Sequence, residues 1–308
     1  MMRDRIGVLL PTSGIAAAEA MRLGETADRL GYRTVAVGEV NTWDATALLA
    51  FLAARTSRVD LAASVLPLPS RSVTQLAVAG STISELSGGR FTLGLAIGGP
   101  VVARWHARSP TPGVGDLEAA VGRVRSLLAG ERDPITGFRL SRPTPHAVPI
   151  HVGALGPRAQ DVALSSADGV VLSLRGPAAV AGLRRRADRA GRRPCIVAIQ
   201  WITATRDPDR ARHELALAAL PYLALPGYNR VLDPDVREAV GRAVAARTHD
   251  AIALIPRGVL DDIGGSSAPE EVEARVDALV AAGADEVRLM PIHGAFDACA
   301  SLLEKIQP

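Results

Sequence analysis

The chain has 308 residues, 48% hydrophobic, 22% charged and 3% aromatic, with a formal net charge of +3. So small a charge and so few rings speak against a nucleic-acid surface, which needs a basic field and stacking platforms. No stretch reaches the roughly 18 apolar residues of a membrane span, and Cys195 and Cys299 stand apart from any partner at metal spacing, so we expect a cytoplasmic protein without a bound metal.

Strands and helices alternate along the whole chain. Ile6 to Pro11 reads as the first strand, and Ala16 to Leu30 as an amphipathic helix that Gly31 stops. Thr34 to Glu39 is the second strand and Trp43 to Arg55 the second helix. Val59 to Leu66 is the third strand, after which Ser70 caps a helix running through Glu85. Phe91 to Ile97 is the fourth strand, nearly all apolar, as a parallel strand covered on both faces should be. Asp116 to Ala129 is the next helix, and the Pro- and Gly-containing stretch Arg132 to Val148 a surface excursion.

Pro149 to Gly153 is the fifth strand, with a helix over Pro157 to Ser166. Gly169 to Ser173 is the sixth strand, with a helix over Pro177 to Ala190. Cys195 to Ala204 is the seventh, followed by a long, mostly helical section from Asp207 to Ile263. Ser267 to Glu270 reads as a capping box for a helix ending near Gly283; Glu286 to Ile292 is the eighth strand, and Phe296 to Ile306 the last helix. Eight such units predict a (β/α)₈ barrel, residues 1–308 forming one domain with a helical insertion at about 207–263. A doubly wound sheet would want a Gly-x-Gly-x-x-Gly turn after the first strand, and none is there.

In such a barrel the chemistry sits at the C-terminal strand ends. The first strand offers Pro11, Thr12 and Ser13 there, the seventh Trp201 and Thr203, and the eighth Pro291, Ile292 and His293. Glu39, Arg158, Arg175 and His293 are the natural ionisable candidates on this rim. It has no carboxylate pair for glycoside hydrolysis and no lysine for a Schiff base, which points to chemistry done by an organic cofactor. Gly98 and Gly99 let the backbone approach a ligand. Gly153-Ala154-Leu155-Gly156-Pro157-Arg158 is the best anion site: exposed amides, a helix N-terminus and an arginine, or else an ordinary glycine-rich turn. Glu39 either exchanges a proton with a ligand or pairs with a neighbouring arginine, and Trp43 either walls a planar ring or fills core. His151 reads as a core histidine, and His106, in the loop after the fourth strand, either covers a pocket or is a surface residue.

Several stretches carry a resemblance: Gly31-Tyr32 through Val37-Gly38-Glu39, Leu66-Pro67-Leu68-Pro69-Ser70-Arg71, Glu85 through Leu95, Val152 through Pro157, and Ala167-Asp168-Gly169-Val170. With them the chain resembles the luciferase-like monooxygenase superfamily, especially its coenzyme F420-dependent branch. The resemblance implies a deazaflavin bound at the strand ends, with FMN as the alternative, and often a homodimer. It implies a non-prolyl cis peptide at Ser64-Val65 behind the ring, and cofactor phosphate on Gly153 to Arg158, helped by Ser173 to Gly176. The activity implied is hydride transfer with a small organic substrate. An FMN monooxygenase using reduced flavin and oxygen, and a cofactor-binding barrel without catalysis, are the rival readings.

The departures from the family are specific. Deazaflavin-dependent sugar-phosphate and alcohol dehydrogenases carry a histidine at the end of the second strand and a tryptophan four residues later; here Glu39 and Trp43 stand there. Their acid after the fourth strand is replaced by Gly99 or Pro100, and the glutamate of the methylenetetrahydromethanopterin reductases in the first strand by Val8. Neither substrate class is supported by these positions.

Overall fold

The structure, a computed structural model, describes residues 3–11, 14–247, 249–292 and 296–306. Thr12, Ser13 and His293 therefore lie outside the described residues. Eight parallel strands form the frame: β1 (Ile6–Leu9), β2 (Thr34–Val37), β3 (Asp60–Ala63), β4 (Phe91–Ala96), β5 (Ile150–Gly153), β6 (Gly169–Leu172), β7 (Cys195–Ile202) and β8 (Glu286–Pro291). Each pairs with the next, and β8 pairs with both β7 and β1, so the sheet closes into the expected barrel. Two short ladders extend it, Leu66–Pro67 beside β4 and Gly264–Gly265 beside β7.

The helices of the barrel shell are α1 (Ala17–Leu30), α2 (Ala45–Arg55), α3 (Val73–Leu86), α4 (Gly99–Trp105), α5 (Val114–Leu128), α6 (Pro157–Ser166) and α7 (Pro177–Arg189). Between β7 and β8 come α8 (Pro208–Leu223), α9 (Pro234–Ala245), α10 (Arg257–Ile263) and α11 (Pro269–Ala281), and α12 (Phe296–Lys305) follows β8. Among the described residues no helix is long and apolar enough to cross a membrane.

Several helix starts differ from the sequence reading. Asp44, not Trp43, begins α2: its carboxylate accepts the N–H groups of Thr46 and Ala47. Ser72, not Ser70, caps α3, because it alone has Gln75 three residues on to complete the reciprocal box, while the Ser70 hydroxyl donates back to Pro67 O. Ser267 does not cap α11; its hydroxyl donates to Ala204 O and Thr205 O, and Ala268 with Pro269 starts the helix. The short α4 stands where the sequence predicts only loop; Gly98 (φ 86°) and Gly99 (φ 71°) take left-handed backbone that reverses the chain into it.

Alternation along the strands sorts their side chains into two layers. Val8, Val35, Leu61, Leu93, Val152, Val170, Val287 and Leu289 face outward and pack with the helical shell. Leu9, Ala36, Ala62, Val171, Val197, Ile199 and Trp201 belong to a separate cluster, shared with α8, α9 and α10. The floor of the barrel is polar: Arg288 donates to both oxygens of Glu286 (2.6 and 3.1 Å), and both residues are buried. Gly7 makes room for this pair, since a Cβ there would come within 2.7 Å of Glu286 Oε1.

Candidate functional site

The mouth of the barrel is shaped by the segment after β3. The Ser64–Val65 peptide is cis, at the position expected from the resemblance. Val65 turns back over its neighbours: a Cβ on Gly94 would meet Val65 Cγ1 at 2.8 Å and clash with the Ala63 carbonyl, and one on Gly153 would meet Val65 Cγ2 at 3.1 Å. The glycines on β4 and β5 are therefore spaces that Val65 uses. The Ser64 hydroxyl is buried and has no hydrogen-bond partner among the described residues. Gly98, also expected at the cofactor, packs on Pro67 and Pro69, where a Cβ would come within 2.9 Å of each.

The anion loop lies on the next two strand ends. Ala154 gives its N–H to Val171 O (3.1 Å), so the donors offered outward begin at Leu155. Gly156 is the N-cap of α6 and Pro157 its first residue, with no side chain capping the helix. Arg158 is exposed and makes no ion pair among the described residues. In the neighbouring loop Ser173 is half-buried, and Leu174 takes a left-handed backbone (φ 58°) that brings its buried side chain into the inner cluster. Arg175 reaches across, its Nη2 donating to Leu155 O at 3.3 Å.

Glu39 and Trp43 lie elsewhere on the rim. They line a cleft of about 750 Å³, together with Asn41, Arg71, Gln75, His106 and Phe138 among others. None of Ser64, Val65, Gly98, Ser173 or the loop from Gly153 to Arg158 lines it. Glu39 is held at both oxygens: Arg71 Nη1 donates to Oε1 (2.5 Å) and the Ala45 N–H to Oε2 (3.1 Å). Arg71 Nη2 also donates to Asp44 Oδ1 (2.6 Å). The arginine pairing anticipated for Glu39 is thus present, and the residue still lines the cleft. Trp43 is half-buried against the outer cluster, serving as wall and packing at once.

His106 lines the cleft, as one of its two readings from sequence has it, while Arg71, Gln75 and Phe138 are lining residues that the sequence does not single out for the site. Of these three, Arg71 alone leaves a signal there, as the last residue of the Leu66-to-Arg71 motif. On the far side of the mouth, Trp201 meets Tyr222 of α8 edge-on (5.4 Å between ring centres), and Tyr222 meets Tyr228 in the same way (5.6 Å). His151 lies lower in the barrel; burial, then the charge of Arg288, lowers it from 6.5 to about 4, so it is a neutral imidazole.

Comparison with known proteins follows the same lines. The family model described as luciferase-like monooxygenase matches residues 1–286. A 5,10-methylenetetrahydromethanopterin reductase from Methanolobus tindarius is 25% identical over 283 residues, 85% of this chain and 86% of that protein. A Mycobacterium tuberculosis protein named as a putative coenzyme F420-dependent oxidoreductase is 34% identical over 165 residues, 46% of this chain and 47% of that one. Among solved structures, an F420-dependent secondary alcohol dehydrogenase in complex with an F420–acetone adduct superposes with a TM-score of 0.76 at 16% identity, covering 98% of this chain and 97% of that one, a likeness of fold.

Proposed function

We propose, from the premise that this chain belongs to the luciferase-like monooxygenase family, that it is a coenzyme F420-dependent oxidoreductase acting on a small organic substrate. It is an oxidoreductase by kinship; the deazaflavin, the hydride and the substrate are our reading. The observation that carries it is the barrel mouth, where Val65 lies over Gly94 and Gly153 beside the uncapped start of α6. The buried Ser64 hydroxyl without a partner and Arg158 without an ion pair, both among the described residues, beside the uncapped start of α6, fit a ligand with a polar ring and an anionic arm.

In this reading Ser64 and Val65 back the ring, Gly153 leaves room for Val65, and Gly98 lets the chain pass close over Pro67 and Pro69 at the ring's edge. Leu155, Gly156 and Arg158 hold the phosphate, with Ser173 beside them. Bound there, the deazaflavin would supply two-electron hydride chemistry without oxygen. Glu39 and Trp43 line the neighbouring cleft, where we place the substrate. Trp43 offers an aromatic wall. Glu39, with both oxygens accepting, acts as a fixed carboxylate that takes up a proton or orients a donor on the substrate. We place the protein in the cytoplasm as a homodimer, which light scattering on the purified chain would check.

The test is a pair of titrations, with coenzyme F420 and with FMN, read by cofactor fluorescence. Micromolar or tighter binding of F420 alone supports the reading and directs substrate screening to anaerobic hydride transfer. Preference for FMN, with turnover that consumes oxygen, replaces it by the monooxygenase reading. Binding of neither removes Gly153 to Arg158 as a cofactor site.

A further inference from the structure

The helices α6 and α7 begin alike. Each starts on a Gly-Pro pair, Gly156-Pro157 and Gly176-Pro177, and in neither does the N-cap residue supply a side-chain cap. They follow adjacent strands, so both present first-turn amides on the same rim of the barrel. On dipole and amide geometry alone, an anion has no reason to choose between them.

The segment between β7 and β8 treats the two starts differently. Arg230, in the turn Tyr228–Val231, places Nη1 3.2 Å from where a Cβ on Gly156 would stand. Among the described residues it forms no ion pair, so its charge is available at the start of α6. At the start of α7 the same segment supplies the opposite charge. The Asp262 carboxylate of α10 accepts the Gly176 N–H and occupies the space a Cβ on Gly176 would need. Gln200 fastens the arrangement, its Nε2 donating to Asp262 O (3.0 Å) and Arg175 O (3.4 Å).

We infer that this segment decides where the anionic arm of the cofactor lands: Arg230 completes the anion loop at α6, and Asp262 keeps anions off α7. The inference rests on the cofactor reading above, and assigns that reading two specificity-determining side chains from outside the glycine loop. A guanidinium beside the loop strengthens phosphate binding through charge-assisted hydrogen bonds. A carboxylate already seated on the α7 amide repels a second anion and fills the donor it would use.

The test compares wild type, Arg230→Gln and Asp262→Asn. Both residues are exposed, and the amide introduced by Asp262→Asn retains an oxygen for the Gly176 N–H, so the fold is preserved; circular dichroism and melting temperature verify this. Coenzyme F420 is titrated by fluorescence at low and high salt. Arg230→Gln should weaken binding about tenfold, and Asp262→Asn should tighten it about threefold. Both differences should shrink at high salt. Affinities for both variants equal to wild type would overturn the inference. Failure of the wild type to bind F420 would instead refute the cofactor reading. The inference is then decided with inorganic phosphate: a thermal upshift smaller in Arg230→Gln and larger in Asp262→Asn upholds it, and equal upshifts overturn it.

Discussion

Arg71 donates one guanidinium nitrogen to Glu39 (2.5 Å), from a side chain only 13% exposed to one only 8% exposed. The same guanidinium holds Asp44, the cap of α2. One cation thus ties the loops after β2 and β3 together and sets the wall of the cleft.

Removing that cation leaves the Glu39 carboxylate, only 8% exposed, without its counter-charge, and frees Asp44, whose side chain is 56% exposed. Arg71→Ala should cost about 3 kcal/mol, toward the lower end for a broken buried pair because Asp44 reaches solvent. Urea unfolding at neutral pH measures it. Glu39→Gln keeps a neutral acceptor for Ala45, and should cost much less stability while lowering turnover roughly a hundredfold with the true substrate. Full turnover in Glu39→Gln would end the proton role.

The two glycines under Val65 make a graded pair. Gly94→Ala drives a methyl into the Ala63 carbonyl, which is backbone and cannot yield, so we expect a loss of about 3 kcal/mol. Gly153→Ala meets only Val65 Cγ2 at 3.1 Å and the Ala96 methyl and Val65 Cγ1 at 3.4 Å, which a small rotation relieves, so we expect less than about 1 kcal/mol. Its effect should appear instead as weaker cofactor binding, because Val65 is displaced. Equal destabilisation of the two variants would contradict this packing.

His151 makes the barrel acid-sensitive. Its pKa of about 4 in the fold lies below the ordinary 6.5, so the unfolded chain binds the extra proton between those values. The contribution is complete above pH 6.5 and is lost as pH falls toward 4, a change of about 3 kcal/mol. His151→Gln should flatten the difference between urea stabilities at neutral pH and near pH 4. An unchanged pH dependence would show that the imidazole takes up its proton in the fold as readily as in the unfolded chain.

Tyr32 anchors the last helix. Its buried hydroxyl serves the carbonyls of Leu303 (3.0 Å) and Ile306 (2.9 Å). Tyr32→Phe should cost about 1–2 kcal/mol and speed amide exchange in α12 before the rest of the barrel. Uniform exchange throughout the chain would count against a local anchor.

The barrel is legible because each strand is a short apolar run bounded by glycine, proline or a helix, and the runs recur in the right number. The cis position is legible only through resemblance, whereas the glycine loop shows in its own residues as an anion site or an ordinary turn. What escapes is whatever depends on distant partners. Ser70 and Ser72 are both hydroxyl residues before a helix, and Gln75 decides between them. The sequence suggests that some arginine could hold Glu39, but Arg71 lies 32 residues away and only the closed barrel brings it there. The cleft draws Gln75, His106 and Phe138 from three separate segments, and no local pattern joins them.

Because β8 is the strand that pairs with both β1 and β7, barrel closure comes late when the chain is made from its N-terminus. Until residues 286–291 leave the ribosome, β1 and β7 each present an open edge, and the space above Gly7 lacks the Glu286–Arg288 pair that fills it. The nascent protein therefore carries two adhesive sheet borders through most of its synthesis, and its yield in the cell should depend on how well chaperones shield them.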